Sequence, residues 1–174
     1  MTYIYISYMP HMRNRCLVPE IKRQSKYWPV VGLLGLRQCG KSTLLRDLLG
    51  INRYSTLDDE DSLDDVSISA KNFLSKLGEP SIIDEAQKAP ALFDAIKLQV
   101  DIKRKPGRYY LTGSSQFSSK LGIRESLTGR IGLNYIYPFT LAEAHELPLD
   151  EKRLNPLHKL KPRFGIAQAR NPRA

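Results

Sequence analysis

The chain has 174 residues, 41% of them hydrophobic and 26% charged, the length of one domain able to bury roughly 70% of its unfolded surface. This balance excludes collagen-like, coiled-coil and wholly disordered classes, and two cysteines, Cys16 and Cys39, cannot frame a disulfide-dense secreted fold. The longest apolar run, Tyr27 to Leu36, is far short of the roughly 20 residues of a membrane span. The first nine residues lack a basic leader and a small-residue cleavage site, so the expected setting is reduced, cytoplasmic and free of membrane.

The net charge of +9 is uneven. Residues 1–28 carry five basic side chains against Glu20, residues 151–174 carry seven against Glu151, and the stretch 29–150 is close to neutral. This divides the chain into a basic N-terminal segment (1–28), a core (29–150) and a basic tail (151–174). Basic ends hold nucleic acid through phosphate contacts in some proteins and are merely solvated in others, and both readings stand at this point. In the tail, Phe164 is the one aromatic residue among the basic ones, which argues against a stacking platform for single strands.

In the core, short apolar runs alternate with amphipathic stretches, the rhythm of βαβ units and a mostly parallel sheet. Val30 to Leu34 reads as a fully buried first strand. A glycine-bounded loop follows, then a helix over 41–49 with Leu44, Leu45, Leu48 and Leu49 at helical spacing and Gly50 as C-cap. Tyr54 to Leu57 reads as a second strand closed by the acidic run 58–61. The next helix is expected over 67–77, with Ile68, Phe73, Leu74 and Leu77 inward. Ser81 to Ile83 is the third strand. A helix over 91–103 places Leu92, Ile96 and Val100 on one face. Tyr109 to Leu111 is the fourth strand, Ile131 to Ile136 the fifth, and a helix over about 140–146 closes the core. The three prolines and absent periodicity beyond Asp150 describe a tail.

Four places carry chemistry. Gly35-Leu36-Arg37-Gln38-Cys39-Gly40-Lys41-Ser42, followed by Thr43, fits the Walker A spacing of a phosphate-binding loop, and it sits between a buried strand and a leucine-rich helix. Gly35 and Gly40 let the backbone wrap so that successive N–H groups face phosphate oxygens, with the helix N-terminus adding positive potential. Lys41 would reach the phosphates and the Ser42 hydroxyl would bind Mg²⁺. Cys39 reads as a small residue, or as a thiol made reactive by nearby amides.

Asp84 and Glu85 end the third strand as in a Walker B motif. Asp84 suits a Mg²⁺ ligand and Glu85 the general base for water, while the same pair can cap a helix. Ser114 and Ser115, after the fourth strand, suit a sensor of the γ-phosphate or plain turn chemistry. Arg130 reads as surface charge, or as an arginine that stabilises the transferring phosphoryl group.

Together these residues resemble the AAA-type ATPase domain of a prokaryotic ATPase family usually followed by a C-terminal domain of unknown function. The likeness runs from about Tyr8 to Glu146 and adds Leu-Asp-Asp (57–59), Ile-Lys-Leu-Gln-Val-Asp (96–101), Ser-Leu-Thr-Gly-Arg (126–130) and the Pro138 to Glu143 segment. The resemblance implies a three-layer α/β P-loop NTPase core with a mostly parallel five-stranded sheet, ATP and Mg²⁺ as ligands, and hydrolysis to ADP and phosphate. It assigns phosphate contacts to residues 35 and 37–43, metal contacts to Ser42 and Asp84, and catalytic parts to Glu85, Ser114 and Arg130. An arginine finger at Arg130 comes from a neighbouring subunit, so oligomerisation is implied. The second strand is expected at the sheet edge, away from the phosphates, which leaves Asp58 and Asp59 outside the site.

Two departures qualify the expectation. Leu36 stands where the family commonly has proline. Members run on through a helical lid and a second domain, whereas here the pattern stops near Asp150, so the chain reads as C-terminally truncated and its hydrolysis as weak or lost. The alternatives are a basic nucleic-acid-binding module with a vestigial nucleotide site, or a non-functional fragment.

Overall fold

Residues 15–114 and 126–145 are described by a computed structural model. Expectations for residues 1–14, Ser115, Glu146 and the tail from 151 lie outside them. The apolar runs form strands β1 (Val30–Gly35), β2 (Arg53–Thr56), β3 (Ser81–Asp84), β4 (Tyr109–Gly113) and β5 (Ile131–Ile136). They make one sheet in the order β2-β3-β4-β1-β5, and every neighbouring pair is parallel.

The helical segments are α1 (Val18–Gln24), α2 (Lys41–Thr43), α3 (Glu60–Leu77), α4 (Ala91–Ile102) and α5 (Leu141–Ala144). Strand periodicity decides which layer each side chain joins. From β1, Val30 and Leu34 face a cluster with Phe73 and Leu74 of α3 and Leu92, Ile96 and Val100 of α4. Val31 and Leu33 face the other cluster, with Ile21 of α1 and Leu44 and Leu45 beyond α2. The sheet is therefore covered on both sides, as a parallel sheet requires. Leu92, Ile96 and Val100 are fully buried, each worth about 1.5–3 kcal/mol of burial.

The structure revises several local expectations. The helix after the loop is α-helical only over Lys41–Thr43 and widens into a π-helix over Leu44–Leu48. Gly50 takes φ +68 just past its end. The third helix begins at Glu60, because Asp59 caps it by accepting from Ser62 N at 3.0 Å. The acidic run 58–61 thus starts a helix as well as closing a strand.

Ile68, expected in the core, is 84% exposed. Ser69 beside it has non-helical φ −159 and ψ 97, so the helix phase breaks there and Ile68 falls out of register with Phe73 and Leu74. The last helix is a single turn with a capping box: Thr140 Oγ1 accepts from Glu143 N, and Glu143 Oε2 accepts from Thr140 N. The basic N-terminal segment contributes α1, whose Ile21 is fully buried.

Candidate functional site

Because all five strands are parallel, their carboxyl ends lie together, the place where open α/β sheets form ligand crevices. There β1 feeds the glycine loop, β2 feeds Asp58, β3 ends in Asp84 and β4 leads to Ser114. A pocket of about 300 Å³ opens among Arg37, Gln38, Gly40, Lys41, Ser42, Thr43, Asp58, Asp84 and Glu85.

The loop's path rests on two unusual backbones, Gln38 at φ 63 and Gly40 at φ 89. Gly35 is needed for a different reason: a Cβ there would lie 2.4 Å from Ile136 O of β5. Cys39 is buried under the loop, its Sγ donating to Leu36 O at 2.9 Å. Lys41 is also buried, and its Nζ donates to Gly35 O at 3.3 Å and Leu36 O at 2.9 Å. The ammonium is thereby held over the mouth of its own loop.

Ser42 Oγ donates to Asp84 Oδ2 at 2.8 Å, joining the start of α2 to the end of β3. Asp84 collects three further donors: Tyr54 OH at 3.0 Å, Glu85 N at 3.1 Å and Thr112 Oγ1. Burial pushes its carboxyl up, but the hydrogen bonds from Thr112, Ser42, Tyr54 and Glu85 outweigh this and hold it below the ordinary carboxylate range. Asp84 is therefore ionised at neutral pH. The same arrangement raises the Tyr54 hydroxyl, by burial first and then by the Asp84 charge. Asp84 does not cap a helix through its side chain.

Glu85 takes φ 52 and lines the pocket. A left-handed non-glycine residue of this kind costs on the order of 1–3 kcal/mol. Among the described residues, Gln38 and Glu85 are the two non-glycine residues with positive φ, and both line this pocket. Gln87 Nε2 donates to Glu85 Oε2, orienting the carboxylate.

Asp58 corrects the sequence reading. Although β2 lies at the sheet edge, Asp58 lines the pocket and pairs with Lys88 Nζ at 2.6 Å, because β2 ends level with β3, Thr56 registering with Asp84 and Leu57 N donating to Asp84 O at 3.0 Å. Asp59 stays outside as the cap of α3. Tyr54 and Thr112 were also missed; a hydroxyl at a strand's carboxyl end was the signal for Thr112, whereas Tyr54 lies near the start of β2 and reaches Asp84 through the length of its side chain.

Ser114 follows directly on β4, whose Gly113 registers with Leu34 beside the loop. Arg130 lies at the other end of the sheet, its carbonyl accepting from Val30 N at the start of β1. Its guanidinium donates twice to Asp101, at 2.7 and 2.8 Å. The five steps along β1 separate it from the loop by roughly 16 Å, so Arg130 does not reach the pocket of its own chain.

A magnesium ion fits this donor set. Ser42 Oγ and Asp84 Oδ2 are hard oxygens at the phosphate loop, and Mg²⁺ takes one or two protein oxygens with waters and substrate phosphates completing its shell. Among the described residues, no three His, Cys, Asp or Glu side chains gather into an all-protein metal site. No described helix is long and apolar enough to cross a membrane.

Two uncharacterized mycobacterial proteins, Mb2031c of Mycobacterium bovis and Rv2008c of Mycobacterium tuberculosis, are each 33% identical to the chain over 132 residues. The match covers 71% of this chain and 30% of each relative, so the chain spans under a third of the length of these curated relatives. The family model described as an AAA domain matches residues 27–145, from the turn before β1 to the end of α5. With the parallel five-stranded sheet and the loop at its carboxyl end, that match makes this chain a member of the AAA domain family, a nucleotide-binding ATPase type.

Proposed function

We propose that the chain binds ATP with Mg²⁺ at the loop from Gly35 to Thr43 and hydrolyses it to ADP and phosphate. The observation that carries this reading is the 2.8 Å contact of Ser42 Oγ with Asp84 Oδ2 beside the buried Lys41. It joins a phosphate-binding loop to an ionised carboxylate across the sheet. Mg²⁺, when bound, neutralises charge on the phosphate oxygens, and Ser42 and Asp84 are the residues that would hold it. Lys41 Nζ exchanges the loop carbonyls for phosphate oxygens, keeping its charge satisfied in both arrangements.

Glu85 faces the same pocket as Lys41 and Ser42, where it accepts a proton from the attacking water. Ser114, directly after β4, serves in this reading as the sensor of the γ-phosphate, which the register of Gly113 with Leu34 supports. Arg130 serves a neighbouring subunit's site, since its own lies at the far end of the sheet, and this reading requires assembly.

Titration calorimetry with ATP, with and without Mg²⁺, tests the binding reading in wild type and Lys41→Ala. Micromolar Mg²⁺-dependent binding lost in a folded Lys41→Ala supports it, and equal heats in both proteins overturn it. Phosphate release separates turnover from binding. Glu85→Gln keeps ATP affinity and loses hydrolysis, and Arg130→Ala loses only the part of the rate that rises with protein concentration.

A further inference from the structure

Arg15 stands before α1, outside every motif described above, yet it is among the most buried charged residues of the fold. Its side chain is 6% exposed and that of its partner Glu143 is 5% exposed. The guanidinium makes four contacts with three separate segments. Nη1 donates to Cys39 O at 3.4 Å in the phosphate loop, and Nη2 donates to Tyr137 O at 2.5 Å after β5. Nε lies 3.3 Å from Glu143 Oε1, and the guanidinium carbon sits 4.2 Å over the Phe139 ring. Glu143 is held in turn, accepting from Cys16 N at 2.9 Å and Thr140 N at 2.9 Å.

Stability alone does not explain such a pair, because replacing a buried ion pair by apolar groups of similar volume is often neutral or stabilising. An apolar pair could not hold a carbonyl, and the carbonyl held here is the one preceding Gly40. In a trans peptide the C=O of residue 39 and the N–H of residue 40 point in opposite directions. Fixing Cys39 O toward Arg15 therefore aims Gly40 N–H away from it. Gly40, at φ 89, has no side chain to bar a flip of that peptide. A Cβ at Gly40 would sit 4.0 Å from Arg15 Nη1, so the guanidinium lies directly against this hinge.

We propose that Arg15, held by Glu143 and Phe139, is a positioning residue for the phosphate-binding loop. It pins the Cys39–Gly40 peptide so that Gly40 N–H faces the bound anion and Cys39 O does not. The inference rests on the nucleotide reading above and adds that the N-terminal approach to α1 and the segment after β5 set the loop's anion affinity.

Inorganic pyrophosphate and ATP are the probes, titrated into the 174-residue wild type, Arg15→Met, Arg15→Lys and Lys41→Ala, with amide hydrogen exchange read at Gly40. Arg15→Met is expected to weaken both ligands about tenfold or more, the size of one lost donor to a charged group. Arg15→Lys should be intermediate, since it keeps the charge and loses the fork. Gly40 exchange should rise in Arg15→Met while exchange in β3 and β4 stays as in wild type, a local change that general destabilisation would not produce.

Wild-type affinity and wild-type Gly40 exchange in a folded Arg15→Met overturn the proposal. If Arg15→Met does not fold, Arg15→Lys decides: weakened pyrophosphate binding supports the role and unchanged binding overturns it. Binding that depends on Lys41 and ignores Arg15 refutes this inference alone. Absence of any Lys41-dependent binding refutes the nucleotide reading and this inference with it.

Discussion

Gly35→Ala probes the junction between loop and sheet. The residue registers with Ile136 at the end of the β1–β5 ladder. An added Cβ would meet Ile136 O at 2.4 Å, Ile136 Cγ2 at 2.7 Å and Cys39 Sγ at 2.9 Å, against the 3.4 Å at which ordinary contact begins. The nearest atom is backbone, so no rotamer change relieves it, and β5 or the loop must give way by about 1 Å. Overpacking of this kind costs about 1–3 kcal/mol, and the stiffer unfolded chain offsets about 0.4–1 kcal/mol.

The expected net loss for Gly35→Ala is therefore about 1–2 kcal/mol, read as a lower urea midpoint at unchanged m. Cys39→Ala in the same chain should recover less than about 0.5 kcal/mol, because the clash with Ile136 O remains. Gly50→Ala is the control: nothing lies within 4 Å, but φ is +68, so its cost is conformational only, about 1–2 kcal/mol. A Gly35→Ala protein within about 0.5 kcal/mol of wild type would refute the argument, since it would show that the end of β5 yields freely.

Glu79 should make stability pH-dependent in one direction. Its hydrogen bond from Arg108, at 2.5 Å, holds its carboxyl below the ordinary range. Its contribution is thus complete above that range and is lost as pH falls through the lowered folded value. Glu79→Gln should cost about 1–2 kcal/mol at pH 7, and in urea titrations the gap from wild type should narrow as pH falls below the ordinary carboxylate range. In α3, Ile68→Ser should stay within about 0.5 kcal/mol of wild type, whereas Phe73→Ala should lose about 3–5 kcal/mol; equal losses would place Ile68 in the core after all. Asp59→Ala should cost about 1 kcal/mol as a lost N-cap, with a matching fall in the thermal midpoint, and no change would deny the cap to Asp59.

The amino-acid sequence alone determined the strands, because each is a short run whose neighbours in the chain are turn formers or charged. It also determined where the glycine loop lies, since glycine, lysine and serine at that spacing follow directly on a buried strand. Leu92, Ile96 and Val100 were legible for the same reason, as α4 keeps one unbroken helical period. Ile68 was not, because a break at Ser69 reset the phase and nothing in the local pattern marked it.

Tertiary structure decided the rest. Asp58 reaches the pocket only because the edge strand before it ends in register with Asp84 of β3, and Thr112 and Tyr54 reach Asp84 from strands on either side of β3. Arg130 is placed outside its own pocket by strand direction, which residue spacing does not encode. Arg15 meets Cys39 and Glu143 across separations of 24 and 128 positions. A contact of that reach depends on how the layers pack, and no periodicity in the chain announces it.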